Sequence, residues 1–205
     1  MAALSEANAV IRVLDAIGRV SGDAQLPSAT IIRKLDDEYR RLRRRLAAEF
    51  PSLYEKVSAN TTLTTTSTIT KPTDCEFIRV VEKQLGSYWY PLQAAPSLNR
   101  DLVEELAFYE IGTAIQILPT ASAAGVYRII YVASPPDAVT TYDVPNGVEG
   151  IIIEETAAWA RQRHNEMDQV KYHKEEARRI WDEAYMGLWN RYGSHGRSAM
   201  SEVAY

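Results

Sequence analysis

Several things that catalytic and secreted proteins are built from are scarce in this chain. Cys75 is its one cysteine, so an intramolecular disulfide is excluded and a thiolate zinc centre lacks ligands. Nothing near Cys75 in sequence supplies a histidine base, so the thiol reads as a small buried hydrophobe at a strand start. There are three histidines, His164, His173 and His195, and no two stand three or four apart, so no helical metal face is written here. Solvated surface histidines are the plain reading. The patterns G-x-G-x-x-G, G-x-S-x-G and the phosphate-binding loop are missing. Ser87 follows Gly86 but lacks a second glycine two positions on. No stretch approaches the roughly 18 apolar residues of a membrane span. The start, MAALSEANAVIRVLDAIG, has neither a basic lead nor a long apolar run, so a secretion signal is not expected. Cofactors and metals are expected to be none, and an enzyme is not expected.

What is present is ordinary in bulk and uneven in detail. The 205 residues are 46% hydrophobic and 24% charged, enough to bury a core without staples. The net charge of −4 divides into +2 for residues 1–50, −7 for residues 51–160 and +1 for residues 161–205. An acidic middle argues against a simple nucleic-acid binder, whose footprint is a basic face.

Periodicity predicts helices at both ends and strands between. Ala9, Val10, Val13, Leu14 and Ile17 recur at helical spacing after Ser5, a capping residue. Ser28 opens a second helix whose stripe is Ile31, Ile32, Leu35, Tyr39, Leu42 and Leu46, ending before Pro51. After Pro51 the pattern changes. VSANTTLTTTSTI is dense in threonine, which suits a pleated surface. Cys75 to Lys83 and Tyr88 to Leu92 read as partner strands turning at Gly86-Ser87, and Ser97 to Leu106 as a short polar helix or loop. Residues 109–134 read as a hairpin, alternating through Ile111, Thr113, Ile115 and Ile117 and again from Val126 to Val132. From Asp143 to Tyr192 the pattern is helical, with a weak point near Gly147 and Gly150. Gly193 marks its stop. The expected fold is α+β and mainly α: a helical bundle with a long C-terminal helix, a small antiparallel sheet or hairpin insertion, and a flexible tail. Its parts are 1–50, a helical hairpin; 51–142, a β-rich region; 143–192, the long helix; and 193–205, the tail.

Three surfaces stand out. Arg40, Arg41, Arg43, Arg44 and Arg45 form the only basic run, and Asp36 and Asp37 precede Arg40 and Arg41 by four residues, so part of the charge is neutralised within the helix. It reads either as a solvated or inter-subunit face or as a loose phosphate contact. The stripe Trp181, Tyr185, Trp189 and Tyr192 reads either as core or as an interface. Glu154-Glu155 reads as a dipole complement near a helix start.

The order of features resembles the head-to-tail adaptor (connector) proteins of tailed bacteriophages. Three stretches carry the resemblance, covering roughly residues 55 to 192: CEFIRVVEKQLGSYWYPLQAAPSLNRD, FYEIGTAIQILPTASAAGVYRIIYVASPPDAVTTYDVPNGVEGIII, and the alanine-rich helix start EETAAWARQR. One departure is Lys71, where such proteins often carry leucine. The resemblance implies a non-enzymatic ring, a dodecamer, in the neck of the virion, made in the bacterial host cytoplasm. Its partners would be the portal ring, further copies of itself, and a tail, nozzle or stopper protein. Double-stranded DNA would pass without sequence-specific binding, and no membrane would be involved. The portal-binding residues would be Trp189, Arg191, Tyr192, Arg197 and Tyr205, and the tail-facing ones Tyr88, Trp89 and Tyr90. If the acidic middle lines the DNA channel, it would repel the duplex and let it slide. The alternative is a DNA-binding ring of the packaging machinery that uses the Arg40–Arg45 helix.

Overall fold

The computed structural model describes residues 2–19, 26–95, 105–136 and 139–193. In chain order the elements are β1 (Ala2–Ser5), α1 (Glu6–Ala16), α2 (Ser28–Glu49), β2 (Glu55–Val57), β3 (Thr61–Leu63), β4 (Thr68–Thr70), β5 (Cys75–Leu85) and β6 (Tyr88–Ala94). They continue with β7 (Ala107–Ile111), β8 (Ala114–Leu118), β9 (Gly125–Ala133), β10 (Thr141–Val144), α3 (Glu149–Arg163) and α4 (Met167–Leu188), and α4 runs into a π turn at Trp189–Gly193. The chain forms two compact units: Met1–Leu53 with Pro135–Tyr205, and Tyr54–Ser134.

This corrects the expected fold class. The protein is mixed α/β, and its second unit is a curled eight-stranded sheet rather than a small hairpin on a bundle. The sheet runs β2-β9-β5-β6-β7-β8-β4, with β3 also paired to β9. Residues 109–134 are not one hairpin. Gly112, at φ +54, folds the first alternating run back on itself, so β7 pairs β8 in register Phe108↔Ile117. The second run, β9, pairs instead with β5 on one side and with β2 and β3 on the other. Those partners lie tens of residues away in sequence, and each of β2, β3 and β4 has only three residues, too few to show a period.

The long C-terminal helix is likewise two helices. The break falls not at Gly147 or Gly150 but at His164 to Glu166, where Asn165 takes a left-handed conformation at φ +59. Asparagine tolerates that region better than most residues, so the chain reverses there and α4 returns along α3. Gly150 lies within α3, where an added Cβ would stand 3.0 Å from Ile180 Cδ1, so it allows α3 and α4 to approach closely. Gly193 belongs to the π turn, and the rest of the expected tail, 194–205, lies outside the described residues.

In the helical unit Ser5 caps α1, its Oγ accepting from the Asn8 N–H at 3.4 Å. The residues just before it form β1, antiparallel to β10 in register Leu4↔Tyr142. α3 has buried residues around most of its circumference, Ile151, Ile152, Ile153, Thr156, Ala157, Ala158 and Ala160. It is the central helix of its unit and packs against α1, α2 and α4. The β unit has its own core, centred on Val81, Ile115, Ile117, Tyr127 and Ile129. Tyr127 is fully buried and its hydroxyl donates to the Ala123 carbonyl at 2.9 Å, so burying that polar tip is compensated.

Candidate docking surfaces

The arginine run does not form one open basic face. The Arg41 guanidinium donates to Glu38, Arg43 to the Tyr39 hydroxyl at 3.0 Å, and Arg45 to Glu49 at 3.1 Å. Arg45 also lies 3.5 Å over the Trp181 ring, a cation–π contact that ties α2 to α4. Arg40 and Arg44 have partners of their own within the protein. Spacing alone showed the charges; their engagement depends on α4 packing alongside, which the run itself does not encode.

The stripe at the end of α4 is both core and surface. Trp181 is buried, whereas Trp189 remains 38% exposed. Phe50, at the end of α2, packs its ring 5.5 Å from Tyr185 and 6.4 Å from Trp189, and Tyr185 stacks on Trp189. An added Cβ on Gly193 would stand 2.7 Å from the Trp189 ring, so the π turn closes tightly on the indole. Beside this ladder a groove of about 350 Å³ runs between the last turns of α4 and the loop at Pro145 and Gly147, with Arg191 and Tyr192 on its wall. The structure therefore brings Trp189, Arg191 and Tyr192 to one end of α4. Arg197 and Tyr205 lie outside the described residues.

Tyr88, Trp89 and Tyr90 sit in β6, and alternation separates them. β6 pairs β5 through Leu85↔Tyr88, Gln84↔Trp89, Lys83↔Tyr90 and Val81↔Leu92. Tyr88 and Tyr90 thus share the face of Val81 and Leu92, which is the core face of the sheet. Toward the hairpin tip that face runs out into solvent: Leu85 is 50%, Tyr88 71% and Tyr90 50% exposed. Trp89 is on the opposite face, under the Arg128 guanidinium at 4.3 Å, and Arg128 is paired with Glu82.

The other candidates are structural. His173 is buried rather than solvated, its Nδ1 2.7 Å from a carboxylate oxygen of Glu154 across the α3–α4 hairpin. That carboxylate sits inside α3, where it meets His173, and not at the helix start where a dipole role was expected. His164 terminates α3, and His195 lies outside the described residues. Burial pushes the Cys75 thiol up, which disfavours the nucleophilic thiolate. Next to it the Asp74 carboxylate accepts from Lys56 at 2.7 Å and from the Tyr131 hydroxyl at 2.9 Å. The Lys56 hydrogen bond holds Asp74 below the usual carboxylate range, while burial and the same carboxylate push the Tyr131 phenol up to about 12. Among the described residues no cluster of His, Cys, Asp and Glu is arranged to hold a metal, and no helix is long and apolar enough to cross a membrane.

The acidic middle is not a property of the sheet. Residues 135–160 supply five acidic side chains and no basic one, and most of these belong to the approach to α3 and to α3 itself. In the sheet unit Lys56, Lys71, Arg79 and Arg128 each pair with a carboxylate, and Lys83 donates to the Ser122 carbonyl. No protein-family model matches the chain. No curated protein matches it either.

Proposed function

We propose that this protein is a head-to-tail adaptor of a tailed phage virion, a ring beneath the portal that continues the DNA channel toward the tail. One observation carries the reading. Each of the two units presents its own aromatic surface, exposed Trp189 and Arg191 with half-buried Tyr192 on the helical unit and exposed Tyr88 and Tyr90 on the sheet unit. A joint between two different partners needs two separate docking faces, and aromatic and arginine side chains dominate the energetics of such faces. The three sequence stretches that resemble adaptors point the same way, and they include β6 and α3. The helical face takes the portal and the sheet face takes the tail or stopper protein. The packaging alternative loses ground because Arg41, Arg43 and Arg45 are committed to partners within the chain.

The two-face reading makes a crossed test. Trp189→Ala with Tyr192→Ala should reduce retention on an immobilised portal ring of the same virion while leaving helical circular dichroism intact. Tyr88→Ala with Tyr90→Ala should spare portal retention and reduce joining of the tail protein. If both double variants lose the same partner, the division of faces is wrong.

A further inference from the structure

The exposed tip of the β5–β6 hairpin coincides with a backbone edge that no strand among the described residues pairs. β6 pairs β5 over Tyr88 to Leu92, but its other edge meets β7 only at Gln93↔Ala107 and Ala94↔Phe108. Among the described residues no strand pairs with Tyr88 to Leu92 on that side. The phase of the ladder decides which groups are free. Gly86-Ser87 is a two-residue turn with Gly86 at φ +63, so Leu85 and Tyr88 are the hydrogen-bonded pair that closes it. Alternation then makes Gln84↔Trp89 and Glu82↔Pro91 the non-hydrogen-bonded pairs. The Trp89 N–H and C=O and the Pro91 C=O therefore point out of the sheet. Pro91 sits where its missing N–H would have faced outward, which leaves the β5 ladder whole and caps the length of any added strand.

We infer that this edge takes an extended, uncharged segment of a partner chain, added as one more strand beside β6 and seated on Leu85, Tyr88 and Tyr90. Three observations choose this occupant. The first is the edge itself, whose outward N–H and C=O groups are satisfied best by another extended backbone. The second is charge: from Leu85 to Leu92 the sequence LGSYWYPL has none, and Lys83, which stands opposite Tyr90 on the same face, is turned to the Ser122 carbonyl and the Tyr127 ring, so the tip offers a charged strand no ion to pair with. The third is area. Aromatic side chains carry roughly 150–250 Å² each, so two part-exposed tyrosines and a leucine offer on the order of 300 Å². A second copy docked face to face would bury on the order of 600 Å², well short of the roughly 1,200 Å² of a stable interface. One short site of this kind is weak alone and gains strength by repetition around a ring. The origin of the partner strand, the tail side of the virion, rests on the adaptor reading; the chemistry of the edge does not.

The Trp89 amide is the reporter. Its hydrogen exchange is measured by NMR on the full chain, alone and with an acetylated, amidated Thr-Val-Thr-Val-Thr-Val-Thr peptide. Without peptide the Trp89 amide should exchange far faster than the amides of Tyr88 and Tyr90, which bond to β5. At a peptide concentration ten times its Kd, Trp89 exchange should slow about tenfold. The same peptide with alternate N-methyl groups, unable to pair, should leave it unchanged. A Trp89 amide already protected in the free chain would overturn the proposal, because the edge would then be covered by the protein itself. So would the absence of any effect up to about 5 mM peptide, or equal protection by the N-methylated peptide. No portal is present in this assay, so a failure here leaves the adaptor reading standing. Protection here without any portal loading sinks that reading alone.

Discussion

Removing one oxygen from Tyr142 tests how the helical unit is closed. The side chain comes from β10, is fully buried, and donates its hydroxyl to Asp36 Oδ1 of α2 at 2.9 Å. Its ring meets Tyr39 with centroids 5.4 Å apart. Burial first, and then the hydrogen bond to Asp36, push its phenol well above the ordinary tyrosine value. Tyr142→Phe keeps the ring and its packing, so no cavity term enters. What is lost is a hydrogen bond to a charged acceptor, worth about 1.5–3 kcal/mol. Asp36 is only half-buried, and water recovers part of that, which places the expected loss at the lower end, about 1.5 kcal/mol. Urea unfolding followed by helical circular dichroism reads it as a drop in midpoint at constant slope. Asp36→Ala and the double variant complete a cycle whose coupling should reach about 1 kcal/mol. A coupling below about 0.3 kcal/mol would refute the reasoning, since the two groups would then be neighbours without a bond that matters.

Three further outcomes follow from the same structure. Asn165→Gly should be tolerated, and Asn165→Val should destabilise by about 1–2 kcal/mol, because a β-branched residue resists the left-handed turn between α3 and α4; equal thermal midpoints for the two would contradict this. Tyr127, Tyr131 and Tyr142 all hold their protons more tightly when folded, chiefly through burial. The stability they contribute is complete below the unfolded value of about 10 and falls as pH rises past it, so the urea midpoint should decline from pH 10 upward, and a flat profile to pH 11 would count against it. Duplex DNA titrated at 50 mM and 200 mM salt should show no steep salt dependence; a log–log slope beyond about −3 would mean three or more phosphates neutralised and would restore the Arg40–Arg45 helix as a DNA face.

The sequence carried the local structure much better than the long-range pairing. The starts of α1 and α2 were legible because Ser5 and Ser28 precede clean apolar stripes, although Ser28 proved to be the first residue of α2 and not a side-chain cap. The Gly86-Ser87 hairpin was legible from its turn residues. β1 and β10 were missed because four-residue strands that find each other across most of the chain leave no periodic trace. The sheet was undercounted for the same reason, since β9 owes its three partners to topology and not to its neighbours in sequence. The break at Asn165 was hidden because His164-Asn165-Glu166 contains neither glycine nor proline. Of the surface candidates, the pair Tyr88 and Tyr90 could be found from aromatics at a turn. That Trp89 faces the other way follows from alternation and could have been read in advance. The engagement of Arg45 with Trp181 could not, because it needs the packing of α2 on α4.

The adaptor reading is tested most directly by the solution mass of the purified protein, alone and mixed with the portal ring of the same virion, by multi-angle light scattering. The mixture should gain mass in multiple copies of this chain per portal ring, and the gain should be lost on Trp189→Ala with Tyr192→Ala. A portal peak whose mass is unchanged by excess protein would contradict it.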